Sequence, residues 1–258
     1  MMRATRKFLS VLALGFFVAC GSDLTGPNGV QDDVGRLNLA VRVAVGASAS
    51  LAPAFDLVLS DGGNTLEIDR VALVLREIEL EGDDDGGACE DAASDSSSDD
   101  DSDDDCEFEV GPFLLELPLD GTTETQIQLD DVRPGRYDEL EFDIHKPDDD
   151  TAGDLDFIAV HPDFRDVSIR VEGTYNGQSF LYLTDLNEEQ EIDLVPPIVV
   201  GGGETVQVTL ALDVGGWFRR GDGSLVDPAT ANKGGPNEDL VEDNIESSIE
   251  LEDDEDDD

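Results

Sequence analysis

Carboxylates dominate the functional groups of this chain. Its 258 residues hold 63 Asp and Glu, 15 Lys and Arg and two His, for a net charge of −48. Such a composition favours hard cations, since Ca²⁺ takes six to eight oxygen ligands. The best-spaced set lies in residues 148–156. There Asp148, Asp150, Asp154 and Asp156 occupy relative positions 1, 3, 7 and 9, with Gly153 at 6, close to the spacing of a calcium-binding loop. Ala152 at position 5 and Ala159 at position 12 depart from that pattern, and the second removes its bidentate Glu. Asp222, Ser224 and Asp227 form a weaker set. The preferred expectation is a solvated acidic surface, with Ca²⁺ as a minor term. High Asp with little Lys also suits a protein that stays hydrated in concentrated salt. No cofactor beyond Ca²⁺ is implied, because two His and three Cys make a multi-ligand zinc or copper site hard to build. The charge argues against DNA, RNA or anionic headgroups as partners, since each is repelled.

Groups for covalent or acid–base catalysis are few. His145 falls on the face opposite Leu140, Phe142 and Ile144, which predicts exposure at a strand end, and His161 sits in a His-Pro loop. There is no Gly-x-Ser-x-Gly elbow and no phosphate loop. A glycosidase needs only two carboxylates, so a hydrolase acting on polysaccharide stays open as an alternative. Trp217, the single Trp, precedes Phe218 and Arg219-Arg220. It either lines a face that binds a carbohydrate or plugs one end of the fold. The plug is preferred, because large aromatics mostly pack inside.

The N-terminus reads as an export signal over residues 1–19. Arg3, Arg6 and Lys7 precede an apolar run from Phe8 to Ala19, too short to cross about 30 Å of hydrocarbon as a helix. The run ends in Phe17-Val18-Ala19-Cys20, which resembles the lipobox of bacterial lipoproteins. By that resemblance Cys20 receives a diacylglyceryl thioether and becomes the mature N-terminus. Ser22, where an Asp would imply inner-membrane retention, implies the outer membrane, on its periplasmic or cell-surface side. Losing residues 1–19 removes three bases and takes the charge from −48 to −51. Residues 20–35 are the lipidated Cys and a flexible tether, rich in Gly, Pro, Asn and Asp.

From Arg36 the hydrophobic period is two. Leu37, Leu39, Val41, Val43 and Val45 alternate with polar or small residues, as Val206, Val208, Leu210, Leu212 and Val214 do later. Val71, Leu73 and Leu75 share one face while Ile78 and Leu80 take the other phase, which predicts a bulge near Arg76. Asn176-Gly177 predicts a tight hairpin. Together these describe an all-β domain over residues 36–235, an antiparallel sandwich of nine or ten strands. Residues 236–258 are expected to form a short amphipathic helix and an acidic tail. Residues 83–105 carry acid, Ser and Gly with nothing to bury, which predicts a disordered insertion. Cys89 and Cys106 bracket most of it, and in an exported chain such a pair is expected to form a disulfide. Closing that loop would contribute about 3 kcal/mol on chain-entropy grounds.

With the lipobox, residues 66–80 (LEIDRVALVLREIEL) and Val132-Arg133-Pro134-Gly135-Arg136-Tyr137 make the chain similar to bacterial surface lipoproteins of unknown function. Those proteins carry a transthyretin-like or prealbumin-like β-sandwich. The resemblance implies a fold and a location and transfers no active residues. The leading expectation is a surface-anchored, non-catalytic binding or structural module for a carbohydrate or protein ligand. The polysaccharide hydrolase and a calcium-dependent adhesin are the alternatives.

Overall fold

The computed structural model describes residues 34–44, 49–51, 57–82, 106–108 and 111–252. Cys20, the tether, the insertion 83–105 and the Cys89–Cys106 pairing lie outside the described residues and side chains. Thirteen strands are found among those described, and the excess over nine or ten is in strands of three or four residues. In chain order they are β1 (Gly35–Val43), β2 (Ala49–Leu51), β3 (Leu57–Ser60), β4 (Thr65–Glu81), β5 (Cys106–Phe108), β6 (Phe113–Glu116), β7 (Thr125–Val132), β8 (Gly135–Ile144), β9 (Ile169–Tyr175), β10 (Gln178–Thr184), β11 (Glu188–Val200), β12 (Thr205–Leu212) and β13 (Ile249–Leu251). The helices are α1 (Ala152–Val160), α2 (Val214–Trp217) and α3 (Glu238–Glu246). The expected C-terminal helix is α3.

Two sheets pack as an all-β sandwich. The smaller is ordered β13-β12-β1-β7. Its inward rows include Leu37, Leu39, Val41 and Val43 of β1 and Val208, Leu210 and Leu212 of β12, all in one buried cluster with the larger sheet. One pair departs from an antiparallel sandwich: β1 and β12 run parallel, from Arg36 opposite Thr205 to Val43 opposite Leu212. Alternation sets which side chains face the core but leaves the direction of the neighbouring strand open.

The larger sheet is organised by β4, 17 residues long. One edge of β4 pairs in turn with β3, β6 and β5, and the other with β9 and β8. β10 extends β9 across the Asn176-Gly177 turn, where both residues have positive φ as a type I′ turn requires, and β11 extends β8. Two extra residues keep apolar side chains inward along β4. Asp69 is skipped in the ladder with β9, and Glu77, at φ 46°, in the ladder with β8. The second is the bulge expected near Arg76. Without the first, Arg70 rather than Val71 would follow Ile68 into the core.

The middle of β4 is buried on both faces. Val71, Leu73 and Leu75 join the main core, while Ala72 and Val74 face outward beneath Phe157, Ile158 and Phe164. The outer covering is α1 with the turn after it. At one end of the sandwich α2 and α3 close the core. Trp217 is buried and its indole N–H donates to Ser248 Oγ at 2.8 Å. Phe218 meets Tyr182 edge-on at 5.2 Å. The Asn244 amide donates to the carbonyls of Trp217 and Arg219 at 2.9 and 2.8 Å, fixing α3 against α2.

Gly173 of β9, opposite Ile68, has room for nothing larger, since a Cβ there would lie 2.0 Å from the Glu67 carbonyl oxygen. Gly173→Ala is therefore expected to lower stability by about 1–3 kcal/mol through forced strand separation. That is roughly 2–4 °C in Tm per kcal/mol, measurable by following Trp217 emission during thermal unfolding. An unchanged Tm would show that the β4–β9 contact relaxes freely.

Candidate cation-binding face

The four carboxylates at residues 148–156, weighed as a minor calcium loop beside the preferred solvated surface, do not converge. Thr151 caps a helix there, its hydroxyl accepting from Asp154 N at 3.1 Å. The helix carries Asp154 inward, 1% exposed, with its Oδ1 2.8 Å from His145 Nε2. Asp148 Oδ1 accepts from the Asp150 amide at 2.8 Å, and Asp156 stays on the exposed side of α1. No three of Asp148, Asp150, Asp154 and Asp156 bring ligand oxygens within 4.8 Å of one another. The physical reason is the helix, which turns Asp154 inward and Asp156 outward and leaves Asp148 and Asp150 in the turn before its N-cap. The weaker set is also occupied with local structure. Asp222 Oδ1 accepts from Ser224 N and Oγ at 3.0 and 2.6 Å, and Asp227 Oδ1 accepts from Ala229 N at 3.0 Å.

His145 is a second correction. It does lie on the outer face of β8's end, but α1 covers that face, so it is buried and paired with Asp154. Its Nδ1 has no hydrogen-bond partner. The pair fastens α1 to the sheet. Trp217 is fully enclosed: it closes the core, the preferred of its two expected roles, and offers no ring face to a carbohydrate.

The convergent site lies on the outer face of the larger sheet, beside α1. Three strands there alternate acid with mostly apolar residues: Glu77, Glu79 and Glu81 of β4, Glu139, Glu141 and Asp143 of β8, Glu189, Glu191 and Asp193 of β11. The ladders align them in rows. Glu79 lies opposite Glu141, which lies opposite Glu191; Glu81 lies opposite Glu139, which lies opposite Asp193. One oxygen each from Glu81, Glu139 and Glu141 fall within 4.8 Å of one another, as do those from Glu141, Glu189 and Glu191. Glu141 belongs to both triads and borders a recess of about 90 Å³ with Glu77, Glu79, Phe142, Asp143 and Glu189. Arg76 closes one end of the face, 3.1 Å from Asp143 and 2.9 Å from Glu77.

Like charges opposite one another in a sheet are destabilising, and Glu141 shows it. Partial burial, followed by Glu81, Glu189, Glu139 and Glu191, pushes its carboxyl up to about 7. Burial and then Glu191, Asp193 and Asp138 raise Glu139 as well. Such a face can hold protons or cations. It was legible as three period-two acid runs, but the denser acidic tracts at 83–105, 148–156 and 252–258 drew the sequence reading away from it. Isolated carboxylates behave oppositely. Asp61 accepts from the amides of Leu225, Asn64 and Gly63 and from the Asn64 side chain, which holds it well below the usual range. Hydrogen bonds from Thr123 and Thr122 hold Asp120 at about 2.

No protein-family model, curated protein sequence or solved structure matches the chain.

The two kinds of carboxylate act at opposite ends of the pH range. A raised group stabilises the fold fully below its unfolded value, near 4.3 for Glu, and that contribution is lost as pH rises through about 7 for Glu141. The lowered Asp61 and Asp120 stabilise above about pH 4, and their contribution is lost as pH falls. Tm is therefore expected to peak at about pH 5 and to decline towards pH 8. Glu141→Gln should raise Tm by a few degrees at pH 8 and flatten the slope between pH 5 and 8. Parallel profiles for the two proteins would remove Glu141 as the source.

Proposed function

We propose that this protein is an exported, lipid-anchored, non-catalytic binding module whose carboxylate face takes up cations, Ca²⁺ foremost. The observation that supports it is the register that stacks Glu79–Glu141–Glu191 and Glu81–Glu139–Asp193 across three strands. Two oxygen triads sharing Glu141 offer the start of the oxygen-rich shell that Ca²⁺ needs, with water filling the remainder. Anchoring rests on Cys20 and its lipobox, with the tether holding the sandwich clear of the outer membrane. The Cys89–Cys106 disulfide belongs to the same reading, as the closure of an insertion exposed to an oxidising compartment. The polysaccharide hydrolase has less support, because these carboxylates lie on an open sheet face beside a recess of only about 90 Å³.

Thermal melts of the mature protein in NaCl, MgCl₂ and CaCl₂ at equal ionic strength test the cation site. A site predicts a saturable Ca²⁺-specific gain following RT ln(1 + [L]/Kd), about 2.7 kcal/mol at 100 times Kd. Mg²⁺ should not reproduce it, since it demands tighter octahedral geometry. Glu141→Gln with Glu191→Gln should abolish the gain. Superimposable curves would reduce the face to a solvated surface stabilised by screening alone.

Anchoring is tested separately. Cys20→Ser should leave the chain unprocessed or released from membranes, whereas normal cleavage and membrane partitioning of that variant would rule out lipidation.

A further inference from the structure

A different part of the sandwich carries a strand edge that the described residues pair only in part. β12 is covered on one side by β1 along its whole length, but on the other β13 pairs only with Leu210, Ala211 and Leu212. Beyond them Glu252 N still donates to Thr209 O at 2.9 Å. From Val208 back to Thr205, no strand among the described residues continues that ladder. Backbone groups of alternate residues point to the same edge, so Gln207 turns its N–H and C=O to the open side, in line with Thr209.

This edge borders a groove of about 320 Å³. Its far wall is the stretch of β11 at residues 194–197, which lies outside the ladder with β8, together with Ile198. Val195 is 70% exposed there and Val199 beside it 64%. Pro196 and Pro197 have no N–H, so that wall supplies apolar surface while β12 supplies the hydrogen-bonding edge. Proteins usually cover or charge an open edge. Here the chain's own continuation, residues 253–258, is entirely Asp and Glu and has no apolar side chain to set against Leu194, Ile198 and Val208. Leu251, which lines the groove and packs on the core, marks the alternate position that an occupant has to keep apolar. Of the acids at this end, Glu252 lines the groove but is ion-paired with Arg42, while Glu204, just before β12, and Glu250 of β13 are exposed.

We propose that the Thr205 to Val208 edge of β12 is an acceptor for an extended peptide strand of a partner protein, with apolar residues at alternate positions and basic residues between them. Main-chain hydrogen bonds to β12 would supply affinity, the wall of β11 would take the apolar side chains, and the acidic rim would select the basic ones.

The probe is a capped heptapeptide of alternating Lys and Val, titrated calorimetrically into the mature protein at about 0.15 M NaCl. Saturable one-to-one binding is expected. N-methylation of alternate amides keeps the charge and side chains but removes ladder donors, and should weaken binding at least about tenfold. Gln207→Pro removes the N–H facing the open edge and should do the same. Val195→Lys alters only an exposed wall residue, so it should weaken binding without changing Tm even if the proline variant misfolds. Absence of saturable binding would overturn the proposal. So would an N-methylated peptide binding within about twofold of the parent, because the peptide would then be adhering to negative charge at large. A concentration-dependent dimer lost in Val195→Lys would assign the edge to a second copy of this chain and equally overturn it.

Discussion

Residues 71–75 of β4 must be buried on both faces at once, and most of the architecture follows from how that is arranged. Val71, Leu73 and Leu75 complete the space between the sheets, while Ala72 and Val74 need a second apolar layer outside. A sheet face left bare at that point would expose apolar surface worth roughly 25 cal/mol per Å². Helix α1 supplies the layer with Phe157 and Ile158, and Phe164 from the following turn completes it. The same strand forms ladders along both edges, so its two bulges set the phase of every strand beside it. A single residue gained or lost at Asp69 or Glu77 would turn the inward row of half the sheet to solvent.

Covering β4 has a polar consequence. α1 brings Asp154 down onto His145, and its Oδ1 meets Nε2 at 2.8 Å with both residues buried. Removing one partner would leave the other buried and unpaired, a change that costs several kcal/mol in comparable sites. The pair therefore acts as a clasp between helix and sheet, and its residues serve packing before any chemistry.

The carboxylates divide by what surrounds them. Asp61, Asp120, Asp222 and Asp227 accept amide or hydroxyl hydrogens in turns and caps, and their negative charge is welcome there. Those on β4, β8 and β11 face each other across ladders that the core imposes. Leu80, Leu140, Phe142 and Ile192 must point inward, so their neighbours must point outward together, and like charge accumulates in rows. The large apolar interior holds in place a surface that electrostatics alone would drive apart. The raised Glu141 carboxyl is the sign of that repulsion.

Period-two alternation in the sequence was enough to establish an all-β chain, the strands β1, β4 and β12, the Asn176-Gly177 hairpin, and the bulge at Glu77. These are local: which face a side chain takes depends on its neighbours two residues away. Trp217 as an end plug was legible too, from size alone. Helix α1 was not, because residues 148–156 are too acidic to announce a helix and its buried side has meaning only against Ala72 and Val74. The exposure expected for His145 failed for the same reason. Nor could alternation show that β1 and β12 are parallel, or that among the described residues β13 pairs with only part of β12. The carboxylate face lay between these cases. Each acid run was plain in the sequence, but only the ladders set Glu79, Glu141 and Glu191 side by side, since register is decided by packing between strands far apart in the chain.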